Sequence, residues 1–336
     1  MKAIGYKSAH DISALALEDI ELPVPNATGH DLLVEVKAVS VNPVDTKIRK
    51  GVSAAAADYK VLGWDAVGIV KAVGDQVSLF QVGDRVWYAG DISRSGSNAE
   101  FQLVDERIVG LAPHSLSDAE AAALPLTAIT AWEMLFDRLQ VKPGKDYSGQ
   151  SLLVVGAAGG VGSILVQLAR QLTALTVIGT ASRAETHDWL KQLGAHHVID
   201  HSKALSQELQ RIGIGQVSHL VSLTHTSTHY AEIIESLQPQ GKFGLIDDPD
   251  QLDATQLKRK SLSLHWELMF TRSLYQTSDM LAQHQLLNEV ARLIDAGLIR
   301  TTLGSHLGKI NAANLSEAHR LIESQRTKGK IVLEGF

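Results

Sequence analysis

The run Leu152-Leu153-Val154-Val155-Gly156-Ala157-Ala158-Gly159-Gly160-Val161-Gly162-Ser163-Ile164-Leu165-Val166 carries the strongest chemical signal in the chain. An apolar strand passes into a glycine-rich turn, which passes into an amphipathic helix. That setting suits a dinucleotide pyrophosphate. Gly156 permits the tight turn, and missing side chains at Gly159 and Gly160 let backbone N–H groups approach phosphate. Gly162 lets the helix pack closely on its strand, and the helix start, with Val161 in its first turn, contributes partial positive charge. The spacing is Gly156-x-x-Gly159-x-x-Gly162, not GxGxxG. A tight strand-to-helix turn without a ligand is the plainer alternative.

The next strand ends Ile178-Gly179-Thr180-Ala181-Ser182-Arg183. NAD sites place an Asp or Glu about 20 residues after the glycine loop to accept a bond from the ribose 2′-hydroxyl. No carboxylate stands at this tip. Ser182 can hydrogen-bond a 2′-phosphate, and the Arg183 guanidinium can pair with it. The expected cofactor is therefore NADPH. Alternatively, Ser182 caps the following helix and Arg183 is a solvated first-turn residue.

These groups need a scaffold. Residues 1–125 read as short strands separated by Gly and Asp turns, as in 31–39, 63–73 and 83–88, and suggest a β-rich, barrel-like unit or a sandwich. From Ser117, a plausible N-cap, the texture becomes helical. Helices are expected at 118–124, 126–139, 161–172, 184–193 and 230–237. They alternate with strands at 151–155, 175–180, 197–199, 220–223 and 242–246. This alternation implies βαβ units and a parallel sheet. A helix at 280–296 and a strand at 329–333 follow, and that strand could return to the N-terminal unit. Ala54-Ala55-Ala56-Ala57 is too short for more than a loop or helix turn.

A chain of 336 residues exceeds the roughly 250–300 at which a single core stops growing, so two domains are expected. Net charge is −6, which gives no global attraction for nucleic acid or anionic lipid. Cysteine is absent, which rules out disulfides, thiolate nucleophiles, iron–sulfur clusters and every zinc site that needs a Cys ligand. The N-terminus shows no signal-peptide pattern and no stretch reads as a membrane span, so cytoplasm is the expected compartment.

Several further motifs occur in order: Asn42-Pro43-Val44-Asp45-Thr46-Lys47-Ile48-Arg49-Lys50-Gly51, Gly63-Trp64-Asp65-Ala66-Val67-Gly68-Ile69-Val70, Val82-Gly83-Asp84-Arg85-Val86 and Leu124-Pro125-Leu126-Thr127-Ala128-Ile129-Thr130-Ala131-Trp132. With the glycine loop they resemble the medium-chain dehydrogenase/reductase superfamily, in particular its quinone-oxidoreductase-like branch. His265-Trp266-Glu267-Leu268-Met269-Phe270 resembles the subgroup called zinc-type alcohol dehydrogenase-like. The resemblance implies an α/β fold with two parts. One is a GroES-like β-barrel catalytic domain, 1–125 completed by about 268–336. The other is a Rossmann doubly wound parallel sheet, 126–267. It also implies an active-site cleft between them and a homodimer.

In the metal-dependent relatives, zinc is held by Cys, His and Cys. Here the first ligand region reads Asn42-Pro43-Val44-Asp45, and Trp64 stands where the family has His. The 14 histidines include His196-His197, His219, His225 and His229, which fall in the expected cofactor domain. Zinc is not expected. Without a metal, hydride transfer from NADPH to a quinone or activated enone is easier than alcohol oxidation, because the conjugated acceptor delocalises the charge. By the resemblance, Asn42 and Lys47 would face the substrate oxygen, although Lys47 replaces a Tyr common in relatives. Asn42 could instead cap a turn, Lys47 could be a solvated surface residue, and Asp45 reads as a structural acceptor. Thr127 would lie beside the nicotinamide. His201 stands where relatives place a Tyr near the adenosine phosphate. Trp64, Trp266, Met269 and Phe270 would line an apolar substrate pocket or simply form core. Two other functions stay open: an alcohol dehydrogenase with a nonstandard zinc site, and a crystallin-like NADPH binder without turnover.

Overall fold

The computed structural model describes residues 1–11, 17–55, 58–146 and 149–336. The alanine run at 54–57 lies partly outside them. The chain divides into two units, Met1–Ile129 with Phe270–Phe336, and Thr130–Met269.

The first unit begins with β1 (Lys2–Tyr6), β2 (Glu18–Glu21) and β3 (Asp31–Val41). Helix α1 (Pro43–Gly51) follows, then β4 (Lys60–Val61), β5 (Ala66–Val73), β6 (Arg85–Tyr88), β7 (Phe101–Asp105) and β8 (Val109–Leu111). Strands β2, β1 and β4 form a small antiparallel sheet. Strand β3 organises the larger one. One of its edges pairs with β5, and the other pairs with β7 along its first half. The core of this unit is aliphatic, with Leu32, Val34, Val39, Val70, Val86 and Ile331 at 2% exposure or less. Short helices α2 (Asp118–Ala122) and α3 (Pro125–Trp132) come next. Ser117 caps α2 and Glu120 reciprocates at the third helical position, an arrangement that satisfies two otherwise orphaned N–H groups.

The second unit is a parallel sheet with helices between its strands. It contains β9 (Ser151–Val155), α4 (Gly160–Leu172), β10 (Thr176–Thr180), α5 (Ala184–Gln192), β11 (His197–Ile199), α6 (Leu205–Arg211), β12 (Val217–Ser222), α7 (Thr226–Ser236), β13 (Leu237–Leu245) and β14 (Ser263–Trp266). Strand order is β11-β10-β9-β12-β13-β14, all parallel. This is the doubly wound order, and the winding reverses between β9 and β12. Every residue of β9 and β12 is buried, as expected for strands covered on both faces.

The chain then returns to the first unit through α8 (Thr271–Leu274), α9 (Leu281–Asp295), β15 (Leu303–His306), α10 (Ala312–Glu323) and β16 (Lys330–Glu334). Strand β16 pairs antiparallel with the last four residues of β3, beside the stretch that β7 occupies. The expected helix over 126–139 is α at Pro125–Trp132 and widens to a π-helix at Glu133–Arg138. Among the described residues, no helix is long and apolar enough to cross a membrane.

Candidate functional site

In the second unit the carboxyl ends of β9, β10, β11, β12 and β13 lie in register. Thr180 pairs with Ile199, and Ser222 pairs with both Val155 and Leu245. The loop after β9 opens at the reversal point, the place where open α/β sheets bind ligands. Gly156 has φ +78°, and a Cβ there would stand 2.8 Å from the Thr224 methyl. Its N–H donates to Thr180 Oγ1 at 3.1 Å. A Cβ on Gly162 would lie 2.3 Å from the Ala157 carbonyl oxygen, so α4 starts here only with glycine. Gly159 is different. It has ordinary extended backbone, and a Cβ would approach only the Gly156 oxygen, at 3.6 Å. A side chain there would instead fill the space over the helix start. Gly160, Val161 and Gly162 are the first helical residues, whose N–H groups have no acceptor within the helix. Residues 158–161 are all partly exposed. Backbone donors, a helix dipole and a bare approach together fit a pyrophosphate.

Ser182 and Arg183 follow β10 and are exposed. Arg183, not Ser182, is the N-cap of α5, and its side chain makes no capping bond. The alternative of Ser182 as the cap is thereby corrected. Residues 181–183 carry no carboxylate, so nothing at the tip repels a second phosphate. His201 follows β11 and is half-buried, with its ring 6.1 Å from that of His229 and edge-on to it. Its Nδ1 is buried without a hydrogen-bond partner among the described residues. Burial holds both imidazoles below the usual histidine range. The residues on the far side of the reversal point were not anticipated. Thr224 faces Gly156, and His225 caps α7 in the left-handed conformation at φ +53°. Asp247 accepts the Thr226 N–H at 2.9 Å. Their position after β12 was the available signal, since it is the loop opposite the glycines.

The first unit treats its candidate residues differently. Asn42 is 1% exposed. Its Nδ2 donates to Asp65 Oδ2 at 3.1 Å, and its Oδ1 accepts from the Lys330 ammonium. The expectation that Asn42 faces a substrate oxygen is corrected: its amide is spent inside the unit. Asn42 is the N-cap of α1, and its backbone N–H donates to Oδ2 of Asp45, the third helical residue, at 2.8 Å. Burial raises the Asp45 carboxyl to about 7. Lys47 is exposed on α1. Thr127 is 2% exposed and its hydroxyl donates to the Leu124 carbonyl at 3.0 Å. Trp64 is fully buried, its indole N–H donates to the Asp91 carbonyl at 3.2 Å, and its ring meets Phe270 edge-on at 6.3 Å. Both are core, which corrects the pocket expectation for this pair. Trp266 and Met269 belong to the second unit. Trp266 is half exposed and Met269 is buried.

The comparisons with known proteins agree with this architecture. Residues 28–114 match the alcohol dehydrogenase GroES-like domain, and residues 193–333 match the family described as zinc-binding dehydrogenase. A zinc-type alcohol dehydrogenase-like protein of Staphylococcus epidermidis is 38% identical over 336 residues, covering 99% of each chain. The chain belongs to the medium-chain dehydrogenase/reductase superfamily, in its quinone-oxidoreductase-like branch. It is an oxidoreductase. A solved Rhizobium etli structure described as a zinc-dependent alcohol dehydrogenase is 58% identical, with TM-score 0.96 over 100% of this chain and 98% of that one. An Escherichia coli quinone oxidoreductase complexed with NADPH is 25% identical, with TM-score 0.83 over 99% of this chain and 100% of that one.

The zinc in these family names does not fit the residues present. Cysteine is absent from the sequence. An indole whose nitrogen donates a proton offers no ligand at Trp64. Among the described residues, no group of three or more His, Cys, Asp or Glu side chains is placed to hold a metal ion.

Proposed function

We propose that this oxidoreductase transfers hydride from NADPH to a quinone or an activated enone or carbonyl, without a metal. The observation that carries the reading is the loop at the reversal point. Gly159 leaves the start of α4 open, while a carboxylate-free strand tip presents Ser182 and Arg183 beside it. The amides of Gly160, Val161 and Gly162 receive the pyrophosphate. Arg183 pairs with the 2′-phosphate and Ser182 hydrogen-bonds it. His201 adds a donor or acceptor through its unpartnered Nδ1. When bound, the dihydronicotinamide supplies the hydride.

The remaining work is orientation and charge stabilisation, which a conjugated acceptor makes light. Thr127 places a buried hydroxyl at the start of α3, and Lys47 offers an exposed ammonium on α1 as proton donor to the reduced oxygen. A homodimer is part of the reading, supported by β14, the last strand of the parallel sheet, with Trp266 and Leu268 half exposed at and beyond its end. A cytoplasmic, small-molecule enzyme with no nucleic-acid partner suits the acidic net charge of −6.

The test is NADPH oxidation by purified protein against quinones, enones and aldehydes with a chelator present, and NADH in parallel. Turnover of quinones or enones that the chelator leaves unchanged is the expected result. Chelator-sensitive alcohol oxidation would replace this reading with a metal enzyme, and nucleotide binding without turnover would replace it with a binding protein.

A further inference from the structure

The centre of the first unit holds an ion pair that the proposed reaction does not use. Lys330 opens β16 and is 3% exposed. Its ammonium donates to the Val41 carbonyl at 3.2 Å, to Asp65 Oδ2 at 3.0 Å and to Asn42 Oδ1. Asp65 is fully buried. Its Oδ2 also accepts from Ser40 Oγ at 2.8 Å and Asn42 Nδ2 at 3.1 Å, and its Oδ1 accepts the Leu126 N–H at 2.9 Å. Three oxygens thus use the three ammonium protons, and both carboxylate oxygens are occupied. A buried ion pair persists only when its valences are met in this way.

We propose that the Lys330 ammonium is the resident cation of this unit, held among buried oxygens that take no metal ion, and that through Asp65 it positions the start of α3, where Thr127 stands. Five segments meet at the pair: the end of β3 through Ser40 and Val41, the start of α1 through Asn42, the start of α3 through Leu126, the approach to β5 through Asp65, and β16 through Lys330. A second buried carboxylate, Asp45, faces the same Asn42 from α1. Lys330 and Asp65 are the charged groups acting on it, with the Gly63 N–H as a further donor. One ammonium cannot neutralise two carboxylates. Asp65 takes the ammonium, and Asp45 keeps its proton to about pH 7. The pair is therefore the fixed element, and Asp45 the adjustable one.

Lys330→Met leaves the Asp65 charge buried without a partner. The expected melting temperature falls by about 10 °C, and adding Asp65→Asn to the same chain recovers most of it. If the single variant does not fold, recovery of soluble protein by the double variant is the same result. A double variant no more stable than Lys330→Met overturns the pairing. Wild-type protein dialysed against zinc chloride and then buffer is expected to carry no stoichiometric metal by mass spectrometry, and a chelator should leave its melting unchanged. One retained zinc per chain with a raised melting temperature overturns the assignment of the cation.

The kinetic arm rests on the hydride-transfer reading. In the double variant kcat should fall about tenfold while the KM for NADPH stays within about twofold, because the nucleotide groups lie in the other unit. A purely structural pair would leave kcat of the folded protein unchanged, which would overturn the positioning role. A wild-type protein that reduces no acceptor would sink the reaction reading alone, and Lys330 would then be judged on melting and metal content.

Discussion

The carboxyl edge of the parallel sheet and the buried knot around Asp65 use similar residues to opposite ends. At the sheet edge, polar groups face solvent. The first N–H groups of α4 have no helical acceptor, Ser182 and Arg183 are exposed, and His201 Nδ1 has no hydrogen-bond partner among the described residues. In the knot, Asn42, Asp65 and Lys330 satisfy one another and are 3% exposed or less. A polar residue signals ligand chemistry where the fold leaves its valences open. Where the fold closes them, the same residue is architecture.

The contrast can be broken most severely at Trp64. If it is core, Trp64→Ala costs about 3–5 kcal/mol in denaturant unfolding and leaves the KM for a quinone unchanged in the folded fraction. A rise in that KM with little loss of stability would return Trp64 to the pocket. Next is Asp45. Its folded-state carboxyl is raised to about 7, against an ordinary 3.8. The folded chain then holds a proton that the unfolded chain releases near pH 4, so stability declines as pH rises from about 4 to 7 and is level above, by at most about 4 kcal/mol. Asp45→Asn should abolish that slope in melting curves collected across the range, while its amide oxygen still accepts the Asn42 N–H.

On the sheet-edge side, Gly162→Ala should weaken NADPH binding about a hundredfold by fluorescence titration, because the added methyl meets the Ala157 backbone at 2.3 Å and displaces the helix start. Unchanged affinity would mean that the backbone donors do not hold the nucleotide. The mildest expected effect is the most selective. Arg183→Ala should lose about 1.5–3 kcal/mol of NADPH binding, typical of a hydrogen bond to a charged group, with NADH nearly unaffected. Equal losses for both nucleotides would remove the 2′-phosphate from its role.

Much of the second unit was legible in the sequence because its signals are local. Ser151–Val155 and residues 175–180 read as largely apolar runs, and glycine spacing marks the turn between β9 and α4. Helix α6 was missed: its polar sequence Leu205-Ser206-Gln207-Glu208-Leu209-Gln210-Arg211 buries only Leu205, Glu208 and Leu209. Strand β14 has no buried residue to give it a strand pattern. The first unit was less legible because its decisive contacts are distant. Asn42 and Lys330 are separated by 288 positions, and no periodicity couples them. The motif around Asn42 was visible as chemistry-bearing residues, but its burial depended on a strand from the other end of the chain. His225 escaped because a left-handed histidine leaves no trace in composition.

The late position of β16 imposes an order on biosynthesis. Asp65 emerges early, whereas its counter-charge follows the whole of the second unit. At about 5–20 residues per second, the roughly 200 positions between Ile129 and Lys330 take about 10–40 seconds to translate. During that interval the nascent first unit carries a carboxylate it cannot bury. The parallel sheet, contiguous in sequence, is free to fold first, and the N-terminal unit is completed only once β16 has been made.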